Sequence, residues 1–147
     1  MAVIAPTTPG LELMQRYLDA FNRADWDAFK SCLAPDSVHI EPGGVEVHGP
    51  DATVEAVKVF RTAMPDLTGT VVRHLLGPDA AMSEIVWRGT HTGPLATPTG
   101  TIAPTGRPVT VHACKVFAFE GDRITYGRHY WDLTELLGAI GALPGPG

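Results

Sequence analysis

The hydrophobic period changes along this chain, and the order of that change limits the folds open to it. Leu11, Met14, Tyr17, Leu18 and Phe21 recur at helical spacing and predict one amphipathic helix. Asn22-Arg23-Ala24-Asp25 interrupts it, and Asp25 can cap a second helix carrying Trp26, Phe29, Cys32 and Leu33, closed by Pro35 and Asp36. Residues 37–41 alternate as a strand that Pro42-Gly43-Gly44 ends, with a short strand or loop at 45–48. Gly49-Pro50-Asp51 opens a third helix, with Pro50 suited to its first position and Val54, Val57, Phe60 and Met64 as its apolar stripe. From there the pattern is β: residues 67–76, 80–92, 109–119 and 123–131, the last two joined by a tight hairpin at Glu120-Gly121-Asp122. Residues 93–108 are rich in Pro, Gly and Thr and read as a long loop. Asp132 and Glu135 form a capping-box pattern before a short last helix through Leu133, Leu136, Leu137 and Ile140, which Gly141 and Pro144 end. Helices set ahead of an antiparallel meander predict an α+β domain. Its curved sheet, wrapped on three N-terminal helices, would leave a cone-shaped cavity, the natural place for a ligand.

A chain of 147 residues suits one domain, expected at 9–143, with flexible tails at 1–8 and 144–147. The net charge of −5, without a basic run, argues against nucleic acid and an anionic membrane surface as partners. No apolar stretch approaches a membrane span, and the first ten residues lack the basic start of a signal peptide, so the expectation is a cytoplasmic protein. Cys32 and Cys114 lie among apolar neighbours and read as buried free thiols. No glycine-rich phosphate loop and no GxSxG elbow occurs, which disfavours nucleotide, flavin and serine-hydrolase chemistry.

Strand parity groups the polar candidates. His39 and Glu41 share one strand face, as do Trp87 and His91, and His129 and Trp131. If these faces line the cone, imidazoles and a carboxylate meet beside indole rings; parity alone leaves the outer face equally open. Glu41 is either a solvated strand-end carboxylate or a general base in an apolar pocket. Tyr17 is either a core ring with its hydroxyl on backbone or a donor to an oxyanion. Lys115, between Cys114 and Val116, either sends its ammonium along a packed stem to solvent or acts in the site. In the site it would be an electrostatic partner of Glu41 or, less simply, a Schiff-base nucleophile. Asp132 is explained by its cap. His39, Glu41 and His129 are ligand types that suit zinc or iron, but no HxxxH or HxxE helix pair supports a metal.

The runs QRY, LDAFNRADWDAF and APDSVHIEP resemble the opening of ketosteroid isomerases and of SnoaL-like polyketide cyclases. WRGTHTGP, PTGRPV, EGDRITYGRHYWD and LTELLGAIG resemble the SnoaL-like branch. The resemblance implies the nuclear transport factor 2-like cone fold, no cofactor, and acid/base chemistry. The isomerase pattern implies a base just before a proline on the first strand, where Glu41-Pro42 stands, and an oxyanion tyrosine on the first helix, where Tyr17 stands. Its second oxyanion donor, an Asp, falls at Lys115. The cyclase pattern implies an acid/base Asp on the last strand, where this chain has His129, a supporting His at Lys115 and an Asn at His39. An imidazole could still move protons near neutral pH.

The reading that follows is a cofactor-independent enzyme acting on an apolar, carbonyl-bearing small molecule, most simply an aldol-type ring closure in a polyketide. Glu41, His129 and Tyr17 are the catalytic candidates. His39, Lys115, Trp87, His91, Phe117 and Trp131 are the substrate-binding candidates. Double-bond isomerisation, epoxide opening, and ligand binding without catalysis are the alternatives. A homodimer is expected through an apolar convex face of Met82, Val86, Cys114, Val116 and Ala118.

Overall fold

The computed structural model describes residues 8–143. The expected tails, apart from Thr8, lie outside that range. Helix α1 runs Pro9–Asn22; Thr8 Oγ1 accepts from the Leu11 amide at 3.3 Å, and Pro9 occupies the first turn, where a missing N–H costs nothing. Helix α2 is Trp26–Ser31, capped by Asp25, whose carboxylate accepts from the Ala28 amide at 3.0 Å.

Strand β1 spans Leu33–Glu41, four residues earlier than the alternation predicts. Pro35 and Asp36 therefore belong to the strand rather than to a helix stop. The reason is local: Leu33 pairs with Ile124, the Ile124 amide donates to the Cys32 carbonyl at 2.7 Å, and the register slips before Val38. Strand β2 is Val45–His48, and α3 is Gly49–Ala63 with Pro50 in its first turn.

The β half comprises β3 Thr68–Leu76, β4 Ala80–Thr90, β7 Pro108–Glu120 and β8 Arg123–Trp131. Between β4 and β7 the expected long loop contains a small hairpin, β5 Leu95–Thr97 and β6 Gly100–Ile102. The segment is held at its base by His91, whose amide donates to the Arg107 carbonyl and whose carbonyl accepts from Thr105 and Gly106. Helix α4, Leu133–Ala139, starts at Asp132, which accepts from Thr134. The reciprocal half of the expected capping box is absent. Glu135 instead accepts from the amide and the ring of His112 on β7, at 2.9 and 2.6 Å, and ties α4 to the sheet.

The main sheet has the order β2-β1-β8-β7-β4-β3, antiparallel except for β1 against β8. Its concave face is built by alternation: Val109, Val111, Ala113, Lys115, Phe117 and Phe119 of β7 are all buried. They face Leu13, Tyr17, Phe21 and Phe29 from the helices, and each large side chain removed from water contributes about 1.5–3 kcal/mol. Asn22 closes the helix–sheet join by bonding both ways to Gly69 on β3, each bond 2.9 Å. On the convex face Met82 is exposed, and Cys114, Val116 and Ala118 are half-buried. Val86 is buried rather than exposed, set between Thr70 and His112 on its neighbouring strands.

Candidate active site

Pairing in the sheet assembles a polar row at one level. Parallel register aligns His39 with Gly127 and Ile40 with Arg128, so the next residues, Glu41 and His129, come side by side. Antiparallel register then sets His129 against Lys115, Lys115 against Ser83, and Ser83 against His74. Five strands thus contribute one polar residue each.

Three hydrogen-bonded pairs form along this row, one of them His74 Nδ1 with Ser83 Oγ at 2.8 Å. His129 Nδ1 lies 3.2 Å from Glu41 Oε2, with both side chains largely buried. The Lys115 ammonium donates to the Tyr17 hydroxyl at 2.8 Å, joining β7 to α1. Lys115 is 4% exposed, so its ammonium does not reach solvent. Nor does it pair with Glu41: among the described residues no carboxylate lies within 4.0 Å of it. The cause is its place on a central strand beneath α1. Tyr17 accordingly bonds to the lysine rather than to backbone.

Electrostatics sort the protonation states. Burial pushes the Glu41 carboxyl up, but the His129 bond and the nearby Lys115 charge outweigh it and hold the group below the usual carboxylate range. Burial, aided by Lys115, pulls His129 below an ordinary histidine despite the Glu41 bond. Burial pushes the Tyr17 phenol up against the pull of Lys115, so it keeps its proton. For Lys115, burial works against the charge, but Tyr17 and Glu41 restore it, and the ammonium persists. Glu41 is then an anion that can only accept, so His129 must donate through Nδ1. The lone pair of the imidazole is left on Nε2, which is buried without a partner among the described residues.

Tyr17, Glu41, Lys115 and His129 line one cavity of about 80 Å³ with Phe60 and Trp131. Trp87 also lines it, and its indole Nε1 is buried and unpartnered. Gly69 makes room for that indole; a Cβ there would stand 2.6 Å from the Trp87 ring. The space holds a few waters, and a multi-ring molecule fits only if lining side chains such as Val57, Phe60 and Leu136 move aside. A larger open groove of about 910 Å³ runs over the outer strand face and touches Glu41 and His129, but not Tyr17 or Lys115. Only the inner cavity brings all four polar side chains together.

Three substrate-binding candidates do not line this cavity. His39 faces inward but is packed behind Tyr17, ring against ring at 6.5 Å, with Thr53 Oγ1 3.5 Å from Nδ1. Gly127 allows this, since a Cβ would stand 2.5 Å from the His39 ring. His91 is buried at the base of the β5–β6 segment, bonded to Thr105 at 3.0 Å. Phe117 is core, edge-on to Tyr17 at 5.4 Å. Val57, Phe60, Val111 and Leu136 do line the cavity; in the sequence they are apolar helix or strand positions, and no sequence signal separates a core face from a cavity face. Among the described residues no three His, Cys, Asp or Glu side chains converge as metal ligands.

A curved, mostly antiparallel sheet closed into a cone by N-terminal helices is the fold of nuclear transport factor 2-like proteins. Residues 11–140 match the family of SnoaL-like polyketide cyclases, and the chain belongs to that family. Similar solved structures include a protein of Jannaschia sp. CCS1 assigned as a SnoaL-like polyketide cyclase, with TM-score 0.83 and 21% identity, covering 98% of this chain and 100% of that one. IdmH of Streptomyces antibioticus, assigned as a polyketide cyclase, has TM-score 0.78 and 23% identity over 92% and 99% of the two chains. An LEH-like epoxide hydrolase of M. tuberculosis has TM-score 0.70 and 19% identity over 91% and 90%. At these identities the likeness carries the fold. No curated protein matches the sequence.

Proposed function

We propose that this protein is a cofactor-independent acid/base enzyme that closes a ring in a carbonyl-bearing, apolar small molecule such as a polyketide, by an intramolecular aldol-type addition. The observation carrying this reading is the Glu41–His129 bond of 3.2 Å, which leaves a basic Nε2 on a residue lining an apolar cavity. Nε2 removes a proton from the carbon next to a carbonyl, and Glu41 holds the imidazole in the right tautomer and stabilises the imidazolium that forms. The enolate oxygen accepts from the Tyr17 hydroxyl, which Lys115 polarises through its 2.8 Å bond. The enolate carbon attacks a second carbonyl of the same molecule. The resulting alkoxide takes back the proton from His129. His39 has no part in these steps; it supports Tyr17 from behind.

Family membership and the cyclase-type neighbours support the class of chemistry, and the named steps are our reading of the geometry. A panel of poly-β-carbonyl and enone substrates tests it. His129→Gln is expected to lower turnover by roughly 10²–10⁴-fold, the usual contribution of a positioned general base. Tyr17→Phe is expected to lower kcat with little change in KM. Unchanged turnover in both, with Glu41→Gln also unaffected, would remove the proposed site. Tight binding of the panel with no conversion would make the chain a ligand-binding protein instead.

A further inference from the structure

The cavity of about 80 Å³ is smaller than the roughly 150 Å³ space that takes a benzene ring, so part of its wall moves when a larger molecule enters. The sheet shows where that wall is least secured. Strand β7 runs Pro108–Glu120, but β8 pairs with it only from Ala113 onward. The stretch 108–112 therefore has no strand neighbour on that side among the described residues. Val109 and Val111 of this stretch line the cavity, and α4 packs against β7 here. Helix α4 is seven residues long, set between its cap Asp132 and Gly141, whose φ of +73° turns the chain away. Its inner side gives Leu136 to the cavity wall and Ile140 to the core, both buried. Beside Asp132, Trp131 meets Phe60 of α3 edge-on at 5.6 Å; both residues line the cavity and both are half-buried, as at a mouth.

Among the described residues, the only hydrogen bonds from α4 to another element are the two that Glu135 accepts from His112, at 2.9 Å from the amide and 2.6 Å from ring Nδ1. The carboxylate takes the place that a strand partner of the His112 amide would hold beyond the end of β8. The His112 side chain is exposed, so water can replace each partner when the two part.

We propose that α4 is a door to the cavity, hinged at Asp132 and Gly141 and latched by Glu135 on His112, and that ligands pass between α3 and α4 when the latch releases. Burial of Leu136 and Ile140 keeps the door shut most of the time. Release of one polar contact lets both side chains leave together, because they share one short helix. Such a door serves any reaction, or simple binding, in the cavity. The latch forms when the cavity is empty and forms again once an enclosed ligand is inside. It therefore sets how fast a ligand passes, not how tightly it is held.

The probe is 1-aminonaphthalene, neutral at pH 7, whose emission shifts to the blue in apolar surroundings. Stopped-flow fluorescence gives its entry and exit rates. Glu135→Ala is expected to speed entry and exit alike by roughly 10–100-fold, the weight of bonds to a carboxylate, and to leave Kd within about twofold. His112→Ala keeps the amide bond and loses the ring bond, so a smaller gain in both rates is expected. Asn22→Ala is the control: it loosens the α1–β3 join instead, and is expected to lower urea stability while leaving the entry rate unchanged. Hydrogen exchange reads the latch without any ligand. The wild-type His112 amide is expected to exchange ahead of residues 113–117 and without dependence on low urea, as a local opening does. Equal entry rates in wild type and Glu135→Ala would overturn the proposal. So would a gain in Asn22→Ala as large as in Glu135→Ala, which would indicate general loosening. A His112 amide that exchanges only with global unfolding, or no uptake of the probe by either wild type or Glu135→Ala, would overturn it as well. None of these readouts needs turnover.

Discussion

The direction of one hydrogen bond decides what His129 can do. Because Glu41 is held ionised, Nδ1 donates and Nε2 keeps its lone pair. His129 sits below the ordinary histidine value of 6.5, with burial as the main cause, so its imidazole is neutral at pH 7. The expected kcat/KM profile is therefore flat through neutrality, and it falls on the acid side with a midpoint below 6.5, as protonation removes the lone pair. Glu41→Gln removes the anion that raises His129, so its acid limb is expected at still lower pH, with activity down roughly 10²–10⁴-fold from loss of the tautomer and of imidazolium stabilisation. A pH–rate series on both proteins reads this; an acid limb displaced upward in Glu41→Gln would contradict the assigned roles. At this scale the sequence was partly legible. The types and strand parity of Glu41 and His129, and the helical face of Tyr17, were visible in it. That Lys115 would bond Tyr17 was not, because the two are 98 residues apart and meet only through packing.

Among the elements, the join of β1 to β8 carries the site, and a glycine makes it possible. Gly127 stands opposite His39, and any side chain there would enter the imidazole. Gly127→Ala is expected to cost about 1–3 kcal/mol in urea unfolding, the usual penalty of overpacking. The loss should be smaller when His39 is also cut to Ala, so the pair is expected to be non-additive in a double-mutant cycle. Asn22 plays a second joining role, standing in for a strand partner of Gly69 at the end of α1. Asn22→Ala leaves that peptide's N–H and C=O unbonded and is expected to cost about 1–3 kcal/mol by the same measurement. Strand existence was readable from alternation, and β8 was predicted with its observed bounds. The start of β1 was not readable, since Pro35 and Asp36 signal a stop locally and only the Leu33–Ile124 pairing overrides them. Nor was the β5–β6 hairpin, whose strands of three residues are too short to show a period.

For the molecule as a whole, the buried histidines couple stability to pH. His39 is 1% exposed, and burial lowers it from 6.5 to about 3. A depressed folded-state value means its stabilising contribution is full above the unfolded value of 6.5 and is lost as pH falls towards 3. His129 acts in the same direction. Unfolding free energy is therefore expected to drop by on the order of 2 kcal/mol between neutral pH and about pH 5. A His39→Leu variant should flatten the curve, and an equal slope in that variant would count against the account. Val72, Leu75 and Met82 leave exposed apolar side chains on β3 and β4, and the homodimer expected from the sequence remains a proposal. Size-exclusion at low micromolar concentration is expected to show a dimer, and a stable monomer would refute it. Among the described residues no helix is long and apolar enough to cross a membrane.

What the linear sequence determined by itself was periodic: which stretches coil, which extend, where caps and turns fall, and hence the cone fold. Those outcomes depend on forces acting over a few residues, so they are written locally. The tertiary structure alone decided the partners. It joined Glu41 to His129 and Lys115 to Tyr17, placed His39 behind the wall, and divided core faces from cavity faces. Those outcomes follow from register between distant strands and from which low-dielectric space each side chain enters, and neither leaves a local mark in the order of residues.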